Sequence, residues 1–380
     1  MNRRAQGVLS TTAVAAAIVV VLAPVMTIAQ APQAPAPAKL SEARQVPAET
    51  KAAARTKKGW APPKTTWGHP DLQGVWTSDD MRSVPTGRSE AMAGRTSLTP
   101  EEFTRRASGD DGNRDRAVNR ETVLRNEYGV RTFGYTSLVT DPADGRIPPM
   151  TPEGLKRAAP RDGGTFGPGP FDTYEDFSLY DRCITRGIVG SLLPVLYGNG
   201  LRIVQTPQAV VISYEMIHDT RIIPLDGRPH NGPHLKQYLG DSRGRWDGNT
   251  LVVDTTNFTN ATSIGANGNG TRHSDRMKMT ERFTRLDPEM IDYEVTVDDP
   301  VTYTRPFTIR MTITTQPDYQ LYEYACHEGN GAVKYALSGA RAYDKSVADA
   351  VAKGLPIPPR DTGSPYGPPA PGVAPARIVE

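Results

Sequence analysis

The chain has 380 residues, a formal net charge of +2, 23% charged residues and 7% aromatic residues. That balance gives no electrostatic reason to expect nucleic acid as a partner. Its 35 glycines and 34 prolines gather at the ends and in long loops, so the expectation is one β-rich domain over residues 67–355.

The N-terminus carries Arg3 and Arg4, then an apolar run from Val8 to Met26, then small residues at Ala29 and Ala31. This order predicts a secretory signal peptide over residues 1–31. An uncleaved anchor is the alternative, because the run is nearly long enough to cross a bilayer; Pro24 and the small residues favour processing. No Cys follows the run, which excludes a lipoprotein anchor. The expected location is periplasmic or secreted, with no membrane span in the mature chain. Residues 32–66, rich in Pro, Ala and Lys, read as a disordered linker, and residues 356–380 as a disordered Pro-rich tail.

The folded part opens at Trp67–Trp76, where Leu72-Gln73-Gly74-Val75-Trp76 predicts the opening of a strand whose Trp plugs a barrel end, as a similar Gly-x-Trp begins lipocalin-type barrels. Thr99 and Pro100 predict the cap and first position of a short helix, and Thr151-Pro152 repeats that pattern. The polar run from Gly109 to Arg125 is expected to be a surface excursion. Strands are then predicted at Leu201–Thr206, Ala209–Ile217, Arg221–Leu225, Arg243–Trp246 and Thr250–Asn257, with a hairpin turn at Asp247-Gly248-Asn249.

Four further strands are predicted at Met277–Leu286, Met290–Asp298, Thr302–Thr315 and Gln320–Ala325. In the second of these Ile291, Tyr293, Val295 and Val297 share a face opposite Asp292, Glu294, Thr296 and Asp298, and in the third Phe307, Ile309, Met311 and Ile313 oppose Thr308, Arg310, Thr312 and Thr314, the alternation of antiparallel strands with one wet face. About nine short strands beginning on a Trp predict an up-and-down, lipocalin-like barrel or a strongly coiled sheet. Ala332–Lys353 is expected to be a C-terminal helix.

Cys183 and Cys326 are the two cysteines. In an exported chain they read as a disulfide closing a loop of about 140 residues and stabilising by about 2–4 kcal/mol. A catalytic thiol at Cys326 is the competing reading; its neighbour His327 would point to the opposite face of a strand.

The strings DRCITRG, IVQTP, EMIHDTRIIPLDGRPH, GDSRGRWDGNTLVVDTTNF, GNGTRH, ERFTR, YEVTVDDP, YTRPF and YACHEGN, between Asp181 and Arg341, resemble an uncharacterised family of exported bacterial proteins. That family is abundant in soil-dwelling groups such as Acidobacteria. The resemblance implies export and a β-rich fold, and it carries no activity.

The stretch Tyr214–Phe258 holds three of the six histidines. His218 and Asp219 end one strand, Arg221 starts the next, and the following loop supplies Arg228, His230, His234, Asp241 and Arg243. A histidine oriented by a carboxylate and flanked by guanidiniums can move a proton while Arg holds a polar or carbohydrate-like substrate. His218, Asp219 and His230 are therefore the candidate catalytic group, and Arg221, Arg228, His234, Asp241, Arg243, Trp246, His273 and Glu281 the candidate substrate-binding group. The competing readings are a structural salt-bridge network and a ligand-binding barrel without chemistry.

His230 and His234 are four apart, but Pro229, Gly232 and Pro233 bar a helix, and no metal motif matches. No metal and no cofactor is expected; the expected partner is a small molecule. Glu281 falls on an apolar face with Met277, Met279 and Phe283, so it needs a partner. Glu215 and Glu323 are expected to join it if the sheet closes. The loop Gly265–Thr271 is expected to be mobile over the barrel mouth and to carry His273 towards the site.

Overall fold

The strand expectations above rest on alternation, and the computed structural model shows where alternation suffices. It describes residues 44–46, 60–119, 129–158, 171–268, 270–316 and 319–359. The expected signal peptide, most of the linker and all but the start of the tail lie outside the described residues.

The strands are β1 (Arg44–Val46), β2 (Gly74–Thr77), β3 (Arg131–Phe133), β4 (Val139–Asp141), β5 (Gly200–Gln205), β6 (Ala209–Tyr214), β7 (Thr220–Pro224) and β8 (Asp241–Asp247). They continue with β9 (Thr250–Thr256), β10 (Ser263–Ile264), β11 (Thr271–Arg272), β12 (Lys278–Asp287), β13 (Met290–Asp298) and β14 (Phe307–Thr314). The helices are α1 (Pro100–Asn119), α2 (Pro152–Ala158), α3 (Gly187–Leu192) and α4 (Ala332–Ala352).

The main sheet runs β7-β6-β5-β2-β14-β13-β12-β9-β8, with β4 added beside β14. Every neighbouring pair on that path is antiparallel. It coils into a nearly closed barrel, mainly β, as the alternation predicts. β1 pairs with β3 and β10 with β11 in two small separate sheets.

One face of the long strands is dry. Val253, Glu281, Val295 and Ile309 lie in register across β9, β12, β13 and β14, all buried. Trp76 joins this interior at 1% exposure, its indole N–H donating to the Leu72 carbonyl and the Arg285 guanidinium lying over its ring. Each such large side chain contributes roughly 1.5–3 kcal/mol by leaving water, so the barrel is filled by its own side chains.

The two ends of the path, β7 and β8, face each other without a hydrogen-bonded ladder. They still touch at one level. A Cβ added at Gly244 of β8 would lie 2.7 Å from Leu225 Cδ2 and 2.8 Å from Ile223 Cγ2. The missing side chain at Gly244 lets this end of the seam close.

Four expectations need correcting. α1 is not short: its 20 residues absorb much of the polar run after Gly109. A reciprocal cap starts it, with the Glu102 amide donating to the Thr99 hydroxyl at 3.3 Å and the Thr99 amide to the Glu102 carboxylate at 2.9 Å. β14 has no wet face beyond Arg310: the Thr308 hydroxyl meets that of Thr296 at 2.9 Å and the Thr314 hydroxyl donates to buried Asp80. Gln320–Ala325 forms no strand; it crosses the barrel end, where the Tyr319 hydroxyl and Tyr322 amide donate to Glu215.

The fourth is the Gly265–Thr271 loop, which packs closely on α3. A Cβ at Gly190 would lie 2.4 Å from the Gly268 amide nitrogen.

The disulfide joins Cys183 to Cys326 across 143 positions. Asn330 ties the same corner, donating to the Asp181 carbonyl at 3.0 Å. Among the described residues no helix is long and apolar enough to cross a membrane.

Candidate functional site

Away from Gly244 the two edge strands diverge, and a cleft of about 970 Å³ opens between them. β7 supplies Thr220, Arg221, Ile222 and Pro224, with Asp219 just before it; β8 supplies Asp241, Ser242 and Arg243. The rim comes from Arg228, Asn231, Lys236–Gly240, Thr259 and Ala261. Because edge strands carry unpaired backbone groups, the walls offer main-chain as well as side-chain hydrogen bonds.

Asp241 organises one wall. Its carboxylate accepts from the Asn231 amide at 2.8 Å, the Asn231 side chain at 3.1 Å and Arg243 Nη1 at 2.6 Å, and it meets His230 Nδ1 at 3.2 Å. Burial raises the Asp241 pKa, but the Asn231 amide and the Arg243 guanidinium outweigh it and hold the carboxyl below its ordinary value. Asp241 therefore stays ionised and holds the His230 ring by Nδ1, which leaves Nε2 without a hydrogen-bond partner among the described residues. Arg243 is fixed from a second side by the Pro229 carbonyl at 3.0 Å.

Asp219 stands on the other wall. It accepts from the Thr185 hydroxyl, and burial pushes its carboxyl above the ordinary value. Behind it, Arg221 points into the barrel and forms a two-armed pair with Glu281, both contacts at 2.7 Å. Tyr293 adds a third donor to Glu281 at 3.0 Å. Burial opposes charge on Arg221, but the Glu281 carboxylate outweighs it and raises the guanidinium above its ordinary value. The Tyr214 hydroxyl lies against Arg221 in the same interior cluster.

The two remaining cations at the rim are each engaged by a carboxylate: Arg228 by Asp226 and Lys236 by Asp275. Each of the four cations in the lining, Arg221, Arg228, Lys236 and Arg243, is thus engaged by a carboxylate: Glu281, Asp226, Asp275 and Asp241.

The structure brings Asp219, Arg221, Arg228, Asp241 and Arg243 to this cleft, with His230 attached through Asp241. It does not bring the other candidates there. His218 is exposed at the β6–β7 turn, and His234 is exposed on the loop. Trp246 packs against His69 with ring centroids 5.4 Å apart. Glu281 reaches the cleft only through Arg221.

His273 is buried at 2% exposure and is not carried to the mouth of the barrel. Its Nδ1 donates to the Ser274 carbonyl at 2.9 Å, its Nε2 meets the Thr262 hydroxyl, and burial lowers its pKa. Of the two further acids, Glu215 is tied to Tyr319 and Tyr322, and Glu323 is exposed. Neither lines the interior.

Lys236, Gln237 and Ser242 line the cleft without having stood out in the sequence. Their only signal was membership of a polar loop between two strands, which says nothing of where that loop folds. Among the described residues no three His, Cys, Asp or Glu side chains are grouped as metal ligands.

A scan of protein-family models and a search of curated proteins both find no match. Among solved structures, a mutant of the fluorescent protein UnaG is similar at 13% identity, covering 41% of this chain and 91% of that one with a TM-score of 0.20. A likeness of that size carries nothing about ligand or activity.

Proposed function

We propose that this is an exported binding protein of the bacterial cell envelope that takes a small, acidic or polyhydroxylated ligand in the seam between β7 and β8. The observation that carries the reading is the cleft itself: an open gap between two strand edges with no ladder between them, lined by polar and charged side chains. Arg243 and Asn231 provide donors held in place by Asp241, and Tyr238 provides a ring that can lie against a sugar face. The disulfide and the N-terminal leader support export, as does the resemblance to exported soil-bacterial proteins.

Calorimetry with a panel of sugar acids and the matching neutral sugars tests this. The acidic members should bind more tightly, and Arg243→Ala should weaken them by roughly tenfold or more, as loss of a charge-assisted donor does. Uptake unaffected by Arg243→Ala and by Asp241→Asn would remove the seam from the account.

A second reading, acid/base catalysis, is favoured by one contact, His230 Nδ1 to Asp241. A carboxylate holding Nδ1 leaves Nε2 to exchange a proton with a bound hydroxyl. Turnover of any ligand found in the panel, lost in His230→Gln with binding retained, would establish it; full turnover in that variant would dismiss it.

A further inference from the structure

Arg186 lies outside the seam, in the DRCITRG segment, and is only 1% exposed. Its Nη1 donates to the Gly198 carbonyl at 3.1 Å. Its Nε and Nη2 have no hydrogen-bond partner, and among the described residues no carboxylate pairs with it. A buried guanidinium without an anion is an expensive arrangement, and buried arginines are ordinarily paired.

The two idle donors share a geometry. Nε–H and the outer Nη2–H lie side by side on one edge of the guanidinium plane, the fork that receives two oxygens of a carboxylate, sulfate or phosphate group. Around it stand Tyr180, Tyr197 and Tyr324, whose hydroxyls interact with one another and with Arg186. Tyr197 and Tyr324 stack with centroids 6.2 Å apart. These three residues are partly exposed where Arg186 is not. The Cys183–Cys326 bond fixes both sides of the arrangement, since Arg186 follows Cys183 by three positions and Tyr324 precedes Cys326 by two.

We propose that Arg186, with the hydroxyls of Tyr180, Tyr197 and Tyr324, forms a second binding site, for an oxyanion that docks two oxygens on the free edge of the guanidinium. The hydroxyls can turn to donate to such a group, so every polar atom facing it would be a donor. Burial pushes the Arg186 pKa down to about 10, which still leaves it charged at neutral pH. The site is separate from the lining of the seam, and Thr185, which precedes Arg186 and bonds Asp219, links the two.

The test is the thermal midpoint of the whole disulfide-bonded protein, titrated with sodium sulfate, sodium phosphate or sodium acetate against sodium chloride at matched ionic strength. A saturable rise with at least one oxyanion and none with chloride is expected; acetate against sulfate and phosphate tells a carboxylate site from a tetrahedral one. Arg186→Lys keeps the charge and loses the fork, so its half-saturation should move up by roughly tenfold. Tyr197→Phe should weaken the response.

A wild-type protein that responds to oxyanions no differently from chloride overturns the proposal, whatever the variants do. So does an undiminished response in a folded Arg186→Met protein. If Arg186→Met fails to fold, the wild-type, Arg186→Lys and Tyr197→Phe titrations decide.

Discussion

Asp79 is 1% exposed beside the Thr77 hydroxyl and the Asn199 amide, and burial pushes its carboxyl up to about 6 from the ordinary 3.8. Between those values the folded chain holds a proton that the unfolded chain has lost. Stability contributed here is therefore greatest in acid and falls as pH rises from about 4 to about 6, by up to about 3 kcal/mol. Asp79→Asn should flatten that part of the curve, read as the difference in urea midpoints between wild type and variant across the window. An unchanged slope would show that Asp79 is ionised without penalty. The Arg221–Glu281 pair works the other way: both partners are needed. Glu281→Gln should cost about 3–5 kcal/mol by leaving a buried guanidinium uncompensated, whereas Arg221→Met with Glu281→Leu should recover much of it. Denaturant curves on the single and double variants separate these outcomes.

At the level of elements the seam and the turn beside it are the sensitive places. Gly244→Val would drive methyl groups into Ile223 and Leu225, and overpacking of this kind costs about 1–3 kcal/mol. If denaturation midpoints do not move, β7 and β8 do not touch there. Ile217 and His218 have φ of +67° and +57° in the β6–β7 turn, a conformation that is strained for a β-branched side chain. Ile217→Gly should stabilise by about 1 kcal/mol.

The strands of this region were legible because apolar and polar residues alternate without interruption, as in Ile291–Asp298. Gln320–Ala325 alternates too and misled, since Leu321 and Tyr324 pack against a barrel end with no strand to pair with. The wet face expected of β14 failed for a related reason. Alternation reports which side is dry but not whether another segment covers the other, and Thr308, Thr312 and Thr314 look alike whether water or protein lies over them.

For the molecule as a whole, the site was half legible. Asp219, Arg221, Arg228, Asp241 and Arg243 could be gathered from one stretch of sequence because that stretch forms both lips of the seam. His273 could not be placed correctly, because a histidine that bonds a hydroxyl and a carbonyl in the core has the same local sequence as one facing solvent. The barrel is filled by Trp76, Phe283, Tyr293 and their neighbours, so a ligand has the seam rather than the lumen available to it.

Backbone amide shifts of the isotope-labelled chain, followed during titration with the panel of acidic and neutral sugars, test that conclusion most directly. The account predicts saturable shifts at Asp219–Pro224, Arg228–Arg243 and Thr259–Ala261 with the acidic members. Binding that shifts other residues and leaves these unmoved, or no binding by any member, would contradict it.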